Sequence, residues 1–575
     1  MTKLLKYLRP YRLAIAAVLV LMFFQSLSQL FLPNLMSDIV DTGIISGDIG
    51  YIVRLGGLML LVATGGGLCI AGASYFAARA GTGFGRDVRS KLFRHVESFS
   101  LHEFDTFGTA SLITRTTNDI TQVQQVMVML LRMMVMAPMM MIGGIIMALQ
   151  KDAKLSLLIV VVVPILALAI VLIASKVIPL FKSMQVKVDN MNRVLRERLT
   201  GVRVIRAFNR IDHETSRFST TNADLTNTAI KANRIVAIAM PLMMVMMNLT
   251  TVAIIWFGGI RIDSGAMQVG DLMAFIQYVM QIMFSLVMVT FMFVMIPRAS
   301  ASAVRINDVL NKKAEIVDAE KTESGGKQRG YLEFENVTFS YPGAEEPAIR
   351  EISFSARPGE VTALIGGTGA GKSTLVNLVP RFYDVQSGGI RVDGVDVREM
   401  TQADLRAKIG YVPQQAVLFS GTIAQNIRYG KDDATDEEVR SAAETAQATE
   451  FIDTMEDRFD AYIAQDGTNV SGGQKQRLSI ARALVRKPEI YIFDDSFSAL
   501  DFRTDANLRA ALRKETSEST VLIVAQRVTT VMEADRIIVL DDGAVTGMGT
   551  HKELMADCLV YREIVFSQLS AEEIA

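Results

Sequence analysis

The first half of the chain alternates between long apolar runs and polar connections, whereas the second half does not. Six apolar runs are each long enough to cross the hydrocarbon core of a bilayer, which takes about 20 helical residues. They cover residues 13–33, 55–78, 126–148, 155–175, 236–258 and 271–296. None shows the polar alternation of a membrane β-strand. The pattern predicts six transmembrane helices, with both ends of this half on the same side.

The distribution of Lys and Arg predicts which side is cytosolic. No Lys or Arg lies between Leu13 and Val53, whereas the second and fourth connections are rich in both. The remaining connections carry only Lys151, Lys154 and Arg261. We therefore expect a multi-pass protein of the inner (plasma) membrane with its N-terminus and C-terminal half in the cytosol. An organelle membrane remains an alternative.

The N-terminal sequence MTKLLKYLRPYR lacks the small-residue cleavage site of a signal peptide, and it favours a short interfacial helix. The two long cytosolic connections have a helical pattern, so the spans are predicted to continue beyond the bilayer as rods. Turns are predicted at residues 104–108 and 208–212, where the tips would reach a cytosolic domain.

Four polar residues stand out inside the predicted spans: Arg132, Asn248, Gln277 and Gln281. Gln277 and Gln281 lie one helical turn apart and share a face. We predict Asn248, Gln277 and Gln281 as candidates for a substrate cavity, with helix–helix hydrogen bonding as the alternative. The chain has 32 Met residues, which suit an adaptable apolar surface or simply fill the bundle.

Composition changes near residue 311, where a polar segment begins. We predict a transmembrane domain over 1–310, a linker over 311–330 and a second domain over 331–575. The formal net charge of −1 gives no global basic field for nucleic acid. The chain has two cysteines, Cys69 and Cys558, which exclude a disulfide framework and form no metal-binding pair.

A glycine-rich loop in the second half follows the apolar strand VTALIG and precedes a helical run. It fits the phosphate-binding pattern G-x-x-x-x-G-K-[ST], in which backbone N–H groups surround phosphate oxygens. Its predicted nucleotide-binding residues are Gly366, Gly367, Thr368, Gly369, Ala370, Gly371, Lys372, Ser373 and Thr374. We expect Lys372 to reach the β- and γ-phosphates and Ser373 to hold Mg²⁺. ATP and Mg²⁺ are therefore the predicted cofactors.

A second apolar strand, residues 490–493, ends in two aspartates. Asp494 stands where a Walker B carboxylate would hold the metal ion. Between the two motifs lie Ser471, Gly472, Gly473 and Gln474. This stretch resembles the signature motif of ATP-binding cassette (ABC) ATPases, and the whole chain resembles a half-transporter of the type IV ABC exporter class.

The resemblance implies a six-span α-helical domain followed by an α/β cassette, working as a dimer in a lipid bilayer. It implies that Tyr341 stacks on adenine and that Gln414 senses Mg²⁺ and the γ-phosphate. Asp501 falls in the D-loop. The signature residues Ser471 to Gln474 would contact ATP held by the opposite cassette.

Three positions depart from the family pattern, and one of them is Gln465, which stands ahead of the signature where exporters often have a glutamate. The other two lie in the catalytic site. Asp495 replaces the glutamate that acts as general base, and Gln526 replaces the histidine that contacts the γ-phosphate. Because aspartate is one methylene shorter, its carboxylate sits back by about 1.5 Å. The pattern resembles the degenerate-site chain of heterodimeric exporters, whose partner supplies the glutamate and histidine. A slow homodimer that tolerates both residues is the alternative.

The sequence leaves the cargo open between three hypotheses. Methionine-rich, largely uncharged spans favour export of hydrophobic or amphiphilic, drug-like small molecules. A cluster of cationic residues in the cavity would favour the second hypothesis, a lipid or lipid-linked flippase. The predicted spans offer only Arg132 for such a cluster. A regulatory module or an ATP-gated channel is a third hypothesis, since it needs nucleotide binding rather than turnover.

Overall fold

The computed structural model describes residues 2–319 and 329–569; residues 320–328, within the predicted linker, lie outside the described residues. The chain divides into two compact units. The first comprises Met1–Glu97 and Ala110–Lys312. The second comprises Ser98–Thr109 and Lys313–Ala575, so a short segment from the N-terminal half groups with the C-terminal half.

Long helices make up the first unit. After a 3₁₀ helix at Thr2–Tyr11 come α1 (Arg12–Asp38), α2 (Ile49–Glu97), α4 (Thr109–Thr114), α5 (Ile120–Lys151), α6 (Leu157–Thr200), α7 (Val202–Ala207), α8 (Ile211–Asp263) and α9 (Val269–Asn311). The segment that groups with the second unit contains α3 (Leu101–Phe107). Two π-helical turns, at Ile39–Ile44 and Arg115–Asp119, follow α1 and precede α5.

Six helical stretches of the described chain are long and apolar enough to cross a membrane. They are Lys3–Ile44, Ile49–Glu97, Thr109–Lys151, Leu157–Thr200, Ile211–Asp263 and Val269–Asn311. Each overlaps one predicted apolar run, although the fourth begins at Leu157, two residues after the run at 155–175 starts, and this confirms the six-helix prediction. The four stretches that flank the two long cytosolic connections extend beyond their apolar runs, as predicted for the rods. At 1.5 Å per residue, α8 alone is about 80 Å long.

The predicted turns lie close to where the chain reverses. Residues 208–210 separate α7 from α8, and Asn209 adopts a left-handed conformation with φ 52°. At the other tip, residues 104–107 are helical, because α3 extends to Phe107. The chain leaves the helix at residues 98–100, before α3, and again at Gly108, whose φ of 73° is readily adopted by glycine.

The core of the first unit includes a cluster on α1, α5, α6, α8 and α9, with Phe275, Tyr278 and Ile282 fully buried. Tyr278 donates a hydrogen bond of 3.0 Å from its hydroxyl to the carbonyl of Leu30. A Cβ at Gly144 would come within 2.8 Å of Ile282, so glycine lets α5 and α9 approach closely.

The second unit is an α/β structure. Its strands are β1 (Leu332–Phe339), β2 (Ile349–Ala356), β3 (Val361–Gly366), β4 (Ser387–Val392), β5 (Val395–Asp396), β6 (Ile409–Val412), β7 (Gly421–Thr422), β8 (Tyr462–Ile463), β9 (Ile490–Asp494), β10 (Thr520–Val524), β11 (Arg536–Asp541) and β12 (Ala544–Gly549). Its helices are α10 (Lys372–Leu378), α11 (Gln402–Ala407), α12 (Ile423–Arg428), α13 (Asp436–Thr445), α14 (Thr449–Asp453), α15 (Gly472–Leu484), α16 (Phe502–Glu515), α17 (Val528–Val531), α18 (His551–Asp557) and α19 (Leu559–Gln568).

Two sheets organise this unit. The larger has the order β12-β11-β3-β10-β9-β6, in which only β12 is antiparallel to its neighbour. The smaller, β2-β1-β4-β5, is antiparallel. Strands β3, β9 and β10 have near-continuous burial, as expected of parallel strands covered on both faces. The predicted sequence of transmembrane helices followed by an α/β domain is confirmed.

A buried carboxylate ties α3 to the start of the C-terminal half within this unit. Glu103 is fully buried. Its carboxylate accepts hydrogen bonds from the backbone N–H of Ser100 at 2.6 Å, from the Ser100 hydroxyl at 2.5 Å and from the backbone N–H of Glu315 at 2.9 Å. Burial opposes ionisation, but these hydrogen bonds outweigh it and lower the pKa of Glu103. The carboxylate therefore stays charged at neutral pH.

Candidate functional site

The glycine-rich loop joins the end of β3 to the start of α10, as its sequence predicts. Gly369 and Gly371 adopt φ values of 87° and 90°, which other residues rarely adopt. A Cβ at Gly371 would also meet the carbonyl oxygen of Ala348 at 2.6 Å. Nothing lies within 4 Å of a Cβ placed on Gly367 or Gly369, so that part of the loop is open. The loop leaves room for phosphate groups against its backbone.

The side chain of Lys372 bonds to the backbone of this loop. Its ammonium donates to the carbonyl oxygens of Gly366 at 2.8 Å and Gly367 at 2.7 Å. An ammonium has three N–H donors, so one remains for an anionic ligand. Burial lowers the pKa of Lys372, while the negative charges of Asp495 and Asp494 oppose that shift. The cation is thus partly desolvated, which strengthens its attraction for phosphate.

The two predicted metal-side residues lie together. The Ser373 hydroxyl donates to Asp494 Oδ1 at 3.0 Å, although the residues are far apart in sequence. Asp494 ends β9 and is 3 % exposed. Burial, supported by the neighbouring negative charge of Asp495, raises the pKa of Asp494. A hydroxyl and a carboxylate beside a phosphate loop are oxygen ligands of the kind that Mg²⁺ prefers, so these residues fit the predicted metal.

Three further predicted residues meet at one carboxylate. Asp495 Oδ2 accepts hydrogen bonds from Gln526 Nε2 at 3.1 Å and Gln414 Nε2 at 3.3 Å. Asp495 is 8 % exposed, and burial raises the pKa of its carboxyl group. Its φ of 47° turns the chain sharply after β9. The two side-chain amides hold the carboxylate in place, and both donate to the same oxygen, Oδ2.

Tyr341 lies at the edge of the phosphate loop. Its hydroxyl is 3.0 Å from the Thr374 hydroxyl. The ring packs edge-on against Phe339 and Tyr383, with centroids 5.0 and 5.4 Å away, and 37 % of the residue is exposed. Burial raises the pKa of Tyr383 to about 12. No sequence motif marks Tyr383, whose ring packs edge-on against Tyr341, the predicted adenine-stacking residue.

The signature residues are arranged around a helix start. Ser471 is the N-cap of α15: its hydroxyl accepts from Gln474 N at 3.3 Å, and Gln474 Oε1 accepts from Ser471 N at 2.8 Å. Gly472 is open, whereas a Cβ on Gly473 would lie 3.1 Å from the carbonyl of Ala499. Among the described residues, no hydrogen bond joins Ser471–Gln474 to the phosphate loop of the same chain.

Two contacts link the signature region and the D-loop to the rest of the site. Gln476, which the sequence analysis missed, donates from Nε2 to the carbonyl of Gln414 at 3.2 Å. Its signal in the sequence is a polar residue on the buried face of α15. Asp501 is the N-cap of α16 and accepts from Thr504 N at 2.9 Å, and this hydrogen bond lowers its pKa. The Ser498 hydroxyl donates to the carbonyl of Asp495 at 2.9 Å.

The first unit contains an apolar pocket of about 540 Å³ between α6, α8 and α9. It is lined by Leu166, Met240, Pro241, Met243, Met244, Met247, Asn248, Met280, Met283, Phe284 and Val287. Of the three predicted cavity residues, only Asn248 lines it. Gln277 is exposed on this chain, and Gln281 donates to the carbonyl of Gln29 at 3.3 Å. The structure therefore separates Asn248 from the two glutamines.

Two family models match the chain. The model described as ABC transporter transmembrane region matches residues 15–286, and the model described as ABC transporter matches residues 349–498. The second match includes the phosphate loop, the signature residues and both aspartates at the end of β9. The first match lies largely within the helical unit, and the second lies within the α/β unit.

Curated relatives match over nearly the whole chain. An uncharacterized ABC transporter ATP-binding protein of Mycobacterium tuberculosis is 45 % identical over 568 residues, covering 98 % of this chain and 97 % of that protein. One of the same description from Bacillus subtilis is 40 % identical, covering 100 % and 99 %. An ATP-dependent lipid A-core flippase of Syntrophus aciditrophicus is 32 % identical, covering 84 % and 81 %.

The fold is also similar to that of a solved transporter. A bacterial Atm1-family ABC exporter with ATP bound superposes with a TM-score of 0.80, covering 97 % of this chain and 98 % of that one at 24 % identity. At that identity the likeness concerns the fold. Six spans followed by one nucleotide-binding domain are the organisation of an ABC half-transporter, a form that typically dimerises. The chain therefore belongs to the ABC transporter family, as a half-transporter with an exporter fold and an ATP-binding domain.

Proposed function

We propose that this chain is the degenerate-site subunit of a heterodimeric ABC exporter that moves hydrophobic or amphiphilic, drug-like compounds out of the cytosol or inner leaflet. In this assembly its own phosphate loop binds ATP and Mg²⁺ but hydrolyses ATP slowly. Its signature residues complete a competent site on a partner chain. The location that follows is the inner (plasma) membrane, with the ATP-binding domain and N-terminus in the cytosol.

The arrangement at Asp495 carries this proposal. A general base must reach the attacking water, and a displacement of about 1 Å costs roughly 10²-fold in rate. The Asp495 carboxylate is one methylene short, and the two amides at Oδ2 hold it back. Gln526 cannot become cationic, so it offers the γ-phosphate at most a neutral hydrogen bond. The shorter carboxylate and the missing histidine weaken the same catalytic site. The phosphate loop of that site nevertheless keeps every residue of the G-x-x-x-x-G-K-[ST] pattern.

The signature residues support a partner chain. Ser471 and Gln474 cap each other and make no hydrogen bond to their own phosphate loop among the described residues. An N-capped helix start with an open glycine is a ready anion site, because its backbone N–H groups point outward. The γ-phosphate of a nucleotide held by a second chain fits that site. A homodimer would combine two weak sites, and we favour the heterodimer for that reason.

The pocket of the first unit supports an apolar cargo. Six of its eleven lining residues are methionines, whose flexible thioether side chains adapt to different ligand shapes. Its volume of about 540 Å³ lies within the range of drug-sized ligand sites, about 300–1,000 Å³. Asn248 is the polar residue of the lining and offers one amide to orient a ligand.

A lipid flippase is the second candidate. It is favoured by the 32 % identical relative that is described as an ATP-dependent lipid A-core flippase. Recognition of an anionic lipid headgroup calls for cations near the cavity. Arg132 is the cationic residue of the predicted spans, so the sequence supports this candidate less well.

The experiment that tests export uses inverted membrane vesicles from cells that produce the full chain with its co-purifying partner. We expect ATP-dependent uptake of a lipophilic fluorescent dye against its gradient, and no uptake with Lys372→Met. Flux that only follows the gradient would indicate an ATP-gated channel instead. Purification of an active homodimer without a second chain would contradict the heterodimer.

We also predict that Ser373 helps to bind the Mg²⁺ ion on which ATP binding depends. Ser373→Ala removes a hydroxyl that lies 3.0 Å from Asp494, so the Mg²⁺ concentration needed for half-maximal ATP binding should rise at least about tenfold. A fluorescent ATP analogue titrated with Mg²⁺ measures this shift. Ser353→Ala is the matched control, because its exposed hydroxyl bonds only to Asn336 among the described residues: it donates to Oδ1 at 3.0 Å and accepts from the backbone N–H at 2.9 Å. An unchanged Mg²⁺ requirement in Ser373→Ala would remove Ser373 from the metal site.

A further inference from the structure

The short helix that precedes α1 presents its cations along one face. This helix, Thr2–Tyr11, is a 3₁₀ helix, in which side chains three residues apart are eclipsed. Lys3, Lys6 and Arg9 are spaced by three residues, so they share one face, and all three are exposed. Arg12, the first residue of α1, is exposed as well and continues the series. Together these four residues form a cationic row, which spans about 12 Å from Lys3 to Arg9 at about 2 Å per residue.

The other two faces of the 3₁₀ helix pack against the first unit. Leu4 lies on one of these faces and Leu8 on the other, and both are buried. Tyr11 ends the helix and donates from its hydroxyl to Asp87 Oδ2 on α2 at 2.9 Å. A Cβ on Gly83 would lie 2.4 Å from the Tyr11 ring, so glycine lets this ring pack directly on α2. These contacts fix the rotation of the helix and keep the cationic row on its exposed side.

The charge around the cationic row is positive. No Asp or Glu precedes Asp38, which lies at the far end of α1. The carboxylate that reaches the 3₁₀ helix is that of Asp87, and it already has a cationic partner, since Arg86 lies 2.9 Å from its Oδ1. The row therefore attracts anions at the start of the first span.

Apolar side chains are exposed beside these cations. Leu5 is 43 % exposed, and Leu13, which begins the first predicted apolar run, is 82 % exposed. A ligand that contacts both the cations and these leucines needs a negative headgroup and a hydrocarbon part. Helices with this division of polar and apolar residues lie at the boundary between headgroups and acyl chains. The surroundings thus favour a phospholipid over a free phosphate ion.

We propose that Lys3, Lys6, Arg9 and Arg12 form a binding surface for anionic phospholipids, such as phosphatidylglycerol, in the leaflet at the N-terminal end of α1. Four or more Lys and Arg residues beside a span are typical of anionic-lipid binding, and each contributes about a fivefold gain in affinity. The eclipsed geometry of the 3₁₀ helix brings three of these cations onto the same side, where they can act on neighbouring headgroups. This surface does not depend on the proposed cargo or on the proposed partner chain.

The test measures the binding of two lipids that differ in headgroup charge. Radiolabelled phosphatidylglycerol and phosphatidylcholine with the same acyl chains are titrated in mixed micelles, and scintillation proximity reports their binding to the full, immobilised transporter. We expect phosphatidylglycerol to bind at least about 25-fold more tightly. The variant Lys3→Gln/Lys6→Gln/Arg9→Gln should reduce this preference to about fivefold or less, because each lost cation is worth about fivefold.

The matched control removes the same number of charges elsewhere. Arg196→Gln/Arg203→Gln/Arg206→Gln alters exposed residues of α6 and α7, well beyond the predicted span at 155–175. This variant should keep the full preference for phosphatidylglycerol. A loss as large as that of the first variant would show a dependence on net charge alone and would contradict a defined surface.

Equal affinity of the native protein for the two lipids would overturn this inference, and so would a preference that survives in the variant of Lys3, Lys6 and Arg9. Inorganic phosphate, added at constant ionic strength, should leave the bound phosphatidylglycerol in place. Its displacement by phosphate would indicate a site for free anions and would overturn the assignment to a phospholipid.

Discussion

Ser471→Arg is expected to lower the ATPase rate of the assembled transporter by more than about 100-fold, whereas Asp495→Ala should change it by less than about twofold. The arginine would place a long cationic side chain at the capped start of α15, where the partner's nucleotide is expected to bind. It would also remove the hydroxyl that accepts from Gln474 N. Asp495 belongs to the site that contributes little turnover, so its loss matters little.

Steady-state phosphate release by the purified two-chain complex measures both effects. Ser471→Ala is a graded control, because it removes only the cap hydroxyl and typically costs about 1 kcal/mol of helix stability. Binding of ATP by the phosphate loop of the Ser471→Arg chain should persist, which separates a lost signature contact from a misfolded domain. A large loss of activity in Asp495→Ala alone would contradict the degenerate-site proposal.

The combination Asp495→Glu and Gln526→His is expected to raise hydrolysis at this chain's own site by about 100-fold. The added methylene extends the carboxylate by about 1.5 Å, and a shift of about 1 Å is worth roughly 10²-fold in rate. Histidine can also carry a positive charge near neutral pH, which glutamine cannot. The change removes one of the two amides now bonded to Asp495 Oδ2, which frees the new carboxylate to meet water.

This gain is measured most cleanly in a Ser471→Arg background. That change silences the composite site to which this chain lends its signature, so the remaining turnover comes from its own phosphate loop. Gln526→His alone is the control. It should raise the rate of ATP hydrolysis only slightly, because the short carboxylate of Asp495 remains. If the double change leaves turnover at the Ser471→Arg level, the carboxylate length and the missing histidine do not explain the slow site.

Local patterns predicted much of the fold and of the nucleotide site. A strand, a glycine loop and a helix must follow one another for residues 366–373 to hold phosphate, and the structure has that order. The approach of Gln414, Asp495 and Gln526 is not visible locally, since they are far apart in sequence. It follows from β6, β9 and β10 lying side by side in a parallel sheet, whose carboxyl ends share one edge.

Other features depend on packing that hydropathy does not describe. Asn248 lines the methionine-rich pocket, whereas Gln281 bonds to the backbone of Gln29 on α1 and Gln277 is exposed on this chain. Which face each predicted cavity residue presents depends on helix rotation, which hydropathy does not determine.

The hydrogen bond from the backbone N–H of Glu315 to the Glu103 carboxylate matters for the preparation of a soluble fragment. Residues Ser98–Thr109 group with the C-terminal half, and Glu103 holds the backbone of Glu315. A fragment cut from the gene at the end of α9 would lack those twelve residues and leave the Glu315 N–H without its carboxylate. Its melting point and solubility would then describe an incomplete domain, and grafting the missing peptide onto its N-terminus would be the remedy.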